Sequence, residues 1–332
     1  MSELYPLKFE PILKDKVWGG NALAKLYNKN AGKLPNIGES WEISGVQGNL
    51  SVVTNGFLAG NNIEELIEVY MGDITGDSIY EKFGNEFPLL IKFIEAKEDL
   101  SVQVHPGDDM AKERHNAYGK TEMWYILESE NNAKIYTGFR EGVTKEIYEA
   151  AIKNGTVTDL LNTEKPEKGD TFFTPAGRIH AIGAGTVLVE IQQTSDITYR
   201  ISDWNRKSTG SAKRELHLDL ALDAIDFSET GKRGKINKAH EINKLQNLVN
   251  CKYFNTNFLQ FNQKVVKEYY FNDSFVIYIC LEGEFNINWD DSSERIVRGE
   301  TVLLPAMIKE ISLEPAGEAK LLEVFINSES SI

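Results

Sequence analysis

Four polar side chains stand at positions where a β-rich chain has no structural need of them. Gln103 and His105 lie two apart in SVQVHP (101–106), Glu122 opens EMWYIL, and His180 follows the turn TPAGRI. Residues two apart on a strand point to the same face, so Gln103 and His105 are expected to emerge together before Pro106 ends the ladder. In a small barrel, inward-facing residues of neighbouring strands converge, which would bring Glu122 and His180 to the same spot. Two imidazoles, one carboxylate and one amide oxygen, with no thiolate, form a donor set that suits Zn2+ and would also hold Fe2+ or Mn2+. Each residue alone reads as a hydrogen-bonded polar group on a β surface. The four together, with the spacing Gly169-x5-Pro175-x-Gly177-x2-His180, point to a metal site. His115 in the charged KERHNAYGK loop, His217 in a surface helix and His240 near a linker read as structural.

The elements that must position these residues are mostly strands. Residues 4–60 alternate short apolar runs with Gly-rich turns, and 87–106 read as two strands around a turn. EMWYILESENNAKIY (122–136) reads as a hairpin with its polar turn at 128–132, and 169–204 and 250–327 read as further strand. Helical spacing is confined to 62–83, capped by Asn61 or Asn62, to 144–163, capped by Thr144 and broken at Gly155, and to 211–225. The Lys/Gly-rich stretch 228–240 is the linker candidate. Helices do not alternate regularly with strands, so a parallel α/β sheet is disfavoured and a sandwich or barrel is expected.

A weak internal echo refines this expectation. EMWYILESENNAKIY and KGDTFFTPAGRIH resemble VIYICLEGEFNIN and RGETVLLPAMIKE, with Gly169 to Pro175 matched by Gly299 to Pro305. The echo sets Glu122 opposite Val276 and His180 opposite Glu310. The turns recur and the polar residues do not. The fold predicted is mainly β: two jelly-roll barrels, residues 1–235 carrying the site with a helical insert near 140–165, and residues 236–332 a degenerate copy.

Composition sets outer bounds. The chain has 332 residues, 41% hydrophobic and 26% charged, the profile of a globular protein. A net charge of -14 argues against a nucleic-acid partner, while a local cationic pocket for a small anion stays possible. No basic n-region leads into an apolar h-region, and no apolar run approaches the ~20 residues of a membrane span, so no membrane partner is expected. Cys251 and Cys280 are the only cysteines, which suggests buried thiols in a reducing compartment and a cytoplasmic location. No Gly-rich phosphate loop supports nucleotide binding. Oligomeric state is not set by the sequence.

The Gly-x5-Pro-x-Gly-x2-His element resembles the second cupin motif, and SVQVHP with GKTE resembles the first, with Gln103 where many cupins place histidine. Within the cupins the chain is similar to the type I mannose-6-phosphate isomerases of the shorter bacterial form. The matching segments are KVWGG (16–20), GESWEIS (38–44), PLLIKFI (88–94), LSVQVHP (100–106), GKTEMWYIL (119–127), PAGRIHAIG (175–183) and SDITYRISDWNR (195–206). Ala184 stands where many cupins carry Asn, a position that is not a ligand in the pattern. The resemblance implies one zinc ion on Gln103, His105, Glu122 and His180, a phosphorylated sugar as substrate, and interconversion of mannose 6-phosphate and fructose 6-phosphate through an enediol. It points to Arg200 as the catalytic arginine, whose guanidinium would stabilise an enediolate, with Asp196, four residues earlier on the same strand, orienting it. Lys120, two before Glu122, becomes a pocket cation. Ser101, two before Gln103, would meet sugar or phosphate. Lys92 and Glu190 match a pocket lysine and a pocket acid, Glu190 handling protons, and Trp18 would wall the sugar. The base itself is left open.

Two other function classes remain at this level. An Fe2+ cupin oxygenase would use two His and one carboxylate, although Gln103, Lys120 and Arg200 have no general use in such a pocket. A non-catalytic sugar-binding cupin is the other.

Overall fold

The computed structural model describes residues 4–30, 32–204, 206, 214–232, 234–236 and 241–327. Four antiparallel sheets are stacked in layers. The first is five-stranded, in the order Tyr199–Ser202, Val102–Val104, His180–Ile182, Ile135–Phe139, Leu161–Glu164. A seven-stranded sheet faces it: Lys235–Ile236, Thr171–Thr174, Glu122–Ser129, Thr186–Gln193, Leu89–Ala96, Ile37–Ser44, Ile12–Gly20. The third is six-stranded: Leu7–Lys8, Thr301–Leu304, Val276–Glu282, Ala319–Phe325, Asn255–Phe261, Gln246–Asn250. Four strands complete the stack: Val265–Glu268, Glu310–Pro315, Glu284–Trp289, Ser292–Val297. The fold is mainly β, two sandwiches each built from a large and a small sheet.

Burial explains the stacking. Trp124, Ile126 and Leu188 of the seven-stranded sheet share a core with Ile135 and Ile182 of the five-stranded sheet. The opposite face of the seven-stranded sheet, with Phe93, Tyr125 and Ile191, packs with Ile277, Leu322 and Phe258 of the six-stranded sheet. Strands Leu89–Ala96 and Thr186–Gln193 are therefore buried at every residue, which is why their sequences are apolar runs rather than clean alternations. Helices Lys145–Asn154 and Leu218–Ala224 cover the outer face of the five-stranded sheet.

Several local expectations are corrected. Glu122–Ser129 and Ile135–Phe139 are not a hairpin: they belong to opposite sheets, and the polar link 130–134 carries the chain from one to the other. Ile126 and Ile135 both point into the core between those sheets, and a hairpin would have left the facing sheet short of a strand. Val276–Glu282 and Glu284–Trp289 cross in the same way. The echo placed His180 opposite Glu310, yet Glu310 is exposed and Ile311 takes the inward place. Residues 62–83 form three helices, Ile63–Tyr70, Gly72–Thr75 and Asp77–Phe83, because Met71 and Gly76 adopt positive φ (48° and 96°). Asn62 and Glu65 make a reciprocal capping box at the first. His115 ends a helix, Asp108–His115, that was read as loop; its acidic first turn and basic last turn oppose the helix dipole. Thr144 caps Lys145–Asn154 and Gly155 ends it at φ 69°, but the segment continues as a 3-10 turn and strand Leu161–Glu164. His217 immediately precedes helix Leu218–Ala224, and residues 211–213 lie outside the described residues. In the linker candidate, Lys235–Ile236 pairs with Phe172 and Thr171, so the expected boundary between 235 and 236 falls inside a strand; residues 233 and 237–240, with His240, lie outside the described residues.

Candidate metal centre

The register places the site. Gln103 is the Cα partner of His180 on one side and of Arg200 on the other, so Arg200, Gln103 and His180 form one row across the five-stranded sheet. On the facing sheet, Lys92, Glu190 and Trp124 form a second row. Glu122 lies two residues before Trp124 and so shares its face. Between the two rows, ligand atoms of His105, Glu122 and His180 lie within 4.8 Å of one another, all three residues buried.

The hydrogen bonds behind the imidazoles fix their tautomers. His105 Nδ1 is 2.8 Å from the carbonyl oxygen of Ile197, and His180 Nδ1 is 2.8 Å from that of Arg178. A carbonyl only accepts, so both Nδ1 atoms donate and both Nε2 atoms present lone pairs to the interior. Glu122 Oε1 is buried without a hydrogen-bond partner and stands 3.2 Å from His180 Nε2. Glu122 Oε2 lies 3.4 Å from His105 Nε2. Three electron-pair donors facing one another are repulsive unless a cation sits among them. Lys120 is the cation at hand: its ammonium donates to Glu122 Oε2 and lies 3.2 Å from His105 Nε2. Gln103 Nε2 is 3.3 Å from His180 Nε2, and its Oε1 is 3.3 Å from Ser101 Oγ; a half-turn of the amide would present the oxygen instead. The orphaned carboxylate oxygen, the two inward imidazole lone pairs and the adjacent amide fit a divalent metal of the zinc type.

Electrostatics agree with the geometry. Burial pushes the His180 imidazole down to about 3. Burial, followed by the charge of Lys120, also lowers His105. Burial by itself would raise Glu122, but Lys120, His105 and His180 hold it well below the usual carboxylate range. The triad is thus two neutral imidazoles and one carboxylate, the protonation states a divalent ion requires.

Around the triad lies a second buried ion pair. Lys92 Nζ is 2.9 Å from Glu190 Oε1 and donates to Gln192 Oε1 at 2.7 Å, while Trp124 Nε1 donates to Glu190 Oε2 at 3.0 Å. Burial opposes the charge on Lys92, yet Glu190 and Glu39 raise it above the ordinary lysine value. Glu39 accepts from Trp41 Nε1 at 2.7 Å and pairs with Lys16 at 3.2 Å.

A cavity of about 460 Å³ opens above the donors. Trp18, Lys92, Ser101, Gln103, Lys120 and Glu190 line it, as do Asp196 and Arg200. Among the described residues its walls carry six Lys or Arg side chains against three carboxylates, which inverts the sign of the whole chain. Arg200 Nη1 donates to the Glu215 carbonyl at 2.8 Å, and its Nε is buried without a partner. Asp196 does not orient it by sharing a strand: the chain leaves the sheet at Gln193 and rejoins at Tyr199, so Asp196 sits in a loop and, among the described residues, makes no ion pair with Arg200.

Sequence reasoning missed Lys14, Lys16, Glu39, Trp41 and Arg214, which also line this cavity. Lys14, Lys16 and Trp18 alternate in one strand, and Glu39 and Trp41 alternate in the next, so period-2 spacing could have found them. No local pattern marks Arg214, which reaches Asp203 at 3.0 Å.

Comparison with known proteins supplies an independent finding. Residues 6–140 match the family described as phosphomannose isomerase type I, catalytic domain, and residues 244–326 match the mannose-6-phosphate isomerase cupin domain. The chain is 34% identical over 319 residues to mannose-6-phosphate isomerase ManA of Bacillus subtilis (strain 168), covering 94% of this chain and 97% of that protein. The crystal structure of mannose 6-phosphate isomerase from Bacillus subtilis superposes with a TM-score of 0.85 at 30% identity, covering 97% of this chain and 99% of that one. A structure described as mannose 6-phosphate isomerase bound with zinc and yttrium shares the fold at a TM-score of 0.76 and 17% identity, covering 98% of this chain and 100% of that one.

Proposed function

The chain belongs to the type I phosphomannose isomerases, and from that premise we propose that it interconverts mannose 6-phosphate and fructose 6-phosphate with one zinc ion on His105, Glu122, His180 and the amide oxygen of Gln103. The observation that carries this reading is the meeting of two inward Nε2 lone pairs with an unpartnered carboxylate oxygen beneath a cation-lined cavity. A structural neighbour described with bound zinc supports the choice of metal. When bound there, zinc supplies Lewis acidity toward the sugar's carbonyl and hydroxyl oxygens.

The residues of the chain supply the rest. Aldose-to-ketose conversion takes a proton from C2 and returns one to C1, with the electron pair held meanwhile as an enediolate. Glu190, facing the cavity, is proposed to carry that proton. Lys120 and Arg200 place positive charge beside the developing negative oxygen. Ser101 and Trp18 position the sugar, and Lys92 holds Glu190 in place. The phosphate is assigned to the other cations of the cavity wall, Lys14, Lys16 and Arg214. The first sandwich, expected as residues 1–235 and extended by its strand Lys235–Ile236, is proposed as the catalytic unit, and the second sandwich as its degenerate copy. Both cysteines are free, one of them buried, which supports a cytoplasmic location.

A coupled assay of mannose 6-phosphate conversion tests the reading. Turnover is expected, lost on chelation and restored by zinc. Turnover indifferent to chelation would remove the metal from the account. Metal-loaded protein with no turnover would remove the isomerase, and iron as the resident ion would favour an oxygenase.

A further inference from the structure

The second sandwich repeats the first strand for strand. Thr171–Thr174, Glu122–Ser129, Thr186–Gln193 and Leu89–Ala96 lie in that order in the seven-stranded sheet, and Thr301–Leu304, Val276–Glu282, Ala319–Phe325 and Asn255–Phe261 lie in the same order in the six-stranded sheet. The register then identifies equivalent places. The row Lys92, Glu190, Trp124 has as its counterpart the row Asn257, Glu323, Tyr278. A buried glutamate occupies the centre of both. Glu190 is held by Lys92 and Trp124; Glu323 is held by Asn257 at 2.9 Å, Tyr269 at 2.6 Å and Lys267 at 2.7 Å. On the smaller sheet, Lys267 pairs with Ile311 as Gln103 pairs with His180. Ile311 and Val276 stand where the first sandwich has His180 and Glu122, so no metal can be held.

Val276 and Ile311 belong to the apolar core there, but the row beside them keeps polar side chains. A cavity of about 720 Å³ lies over this row, and Asn255, Asn257, Lys267, Tyr269 and Glu323 line it. Asn255 accepts from Asn247 at 2.8 Å, while among the described residues its own amide N–H groups donate to nothing. The Asn255 amide hydrogens can donate to a sugar hydroxyl, while Asn257 and the Tyr269 phenol are already bonded to Glu323 and, in turn, to Asn247 and Tyr278. Charge separates the two cavities. Among the described residues, the first has six cations against three carboxylates, whereas the second has Lys267 as its one cation against Glu268 and Glu323. A phosphate dianion would find no surplus positive charge there.

We propose that the cavity over Glu323 is a second, metal-free binding site for a neutral monosaccharide. The proposal stands apart from the isomerase reading, because it concerns a cavity on the other sandwich and is read by binding rather than turnover. Calorimetric titration of the full-length, metal-loaded protein with mannose, fructose and glucose tests it. Saturable binding of at least one sugar is expected, unchanged by an excess of mannose 6-phosphate. Asn257→Ala and Lys267→Met are each expected to weaken it about tenfold or more and to leave isomerase turnover unchanged. Tyr269→Phe, which keeps the ring, is expected to weaken it as well and guards against a loss caused by misfolding. No saturable binding of any of the three sugars would overturn the proposal. So would binding abolished by mannose 6-phosphate, which belongs to the first cavity, or binding indifferent to all three substitutions.

Discussion

A backbone carbonyl behind each imidazole decides what the buried triad can hold. With Nδ1 committed to Ile197 and Arg178, both Nε2 atoms are donors to a metal rather than to a proton. His180→Ala is therefore expected to abolish metal binding and turnover together, while Arg200→Ala keeps the metal and loses about 10²–10³ in kcat; metal analysis beside the coupled assay separates the two. The ion pairs around the triad make a second prediction. Burial would raise Glu39, but Lys92 and Lys16 bring it below the ordinary carboxylate value. Its contribution to stability is thus present above about pH 4.3 and is lost as the pH falls through the lowered value. Lys92, raised, contributes below the ordinary lysine value of about 10.4 and loses its contribution as the pH rises through the raised one. Lys92→Met is expected to cost about 3–5 kcal/mol at pH 7, chiefly by removing the ion-pair partner of the buried Glu190 carboxylate, and the difference should narrow in acid. Denaturant unfolding at neutral pH and below pH 4 measures this. At this scale Gln103 and His105 were legible from their two-residue spacing, and Glu122 and His180 from the motif spacing. The carbonyls that set the tautomers were not, because no local pattern says which loop will pass behind a ring.

Strands and helices were legible in kind and less so in connection. The apolar, aromatic-rich run in EMWYILES marks a strand, but nothing in 128–134 says whether the chain turns back beside itself or crosses to the facing sheet. That choice depends on where the next apolar face must go, and it is tertiary. The Thr144 and Gly155 signals located helix Lys145–Asn154 well, since caps act locally. Helix Asp108–His115 was missed because its apolar face is little more than Ala111; only its charge polarity announced it. Gly76 shows how an element boundary serves packing. At φ 96° it separates two short helices, and a Cβ there would lie 2.4 Å from the Asp273 carbonyl oxygen of the second sandwich. Gly76→Ala is expected to destabilise by about 1–3 kcal/mol through φ strain and that clash, lowering Tm while leaving kcat unchanged, because Gly76 lines no part of the catalytic cavity.

The two sandwiches share one core. Phe93 and Ile191 on one side, and Ile277 and Leu322 on the other, belong to a single buried cluster, and Leu7–Lys8 at the start of the chain adds an edge strand to the second sandwich's sheet. Tyr253 of the second half donates to Asp108 of the first at 2.7 Å. Cutting after residue 235 would expose that apolar face, so the truncated chain is expected to aggregate and the intact chain to unfold in one cooperative transition, which calorimetry and solubility check. The internal echo made the duplication legible, but it could not reveal that the copies are fused face to face, since strands buried on both sides look like any apolar run. The same fusion buries both faces of the seven-stranded sheet beneath the triad. Anomalous diffraction at the zinc absorption edge, from crystals of the purified protein, tests the central claim most directly. The expected result is one peak about 2.0–2.2 Å from His105 Nε2, His180 Nε2 and a Glu122 oxygen. Crystals that turn over mannose 6-phosphate yet show no peak there, with Lys120 still seated between Glu122 and His105, would contradict it.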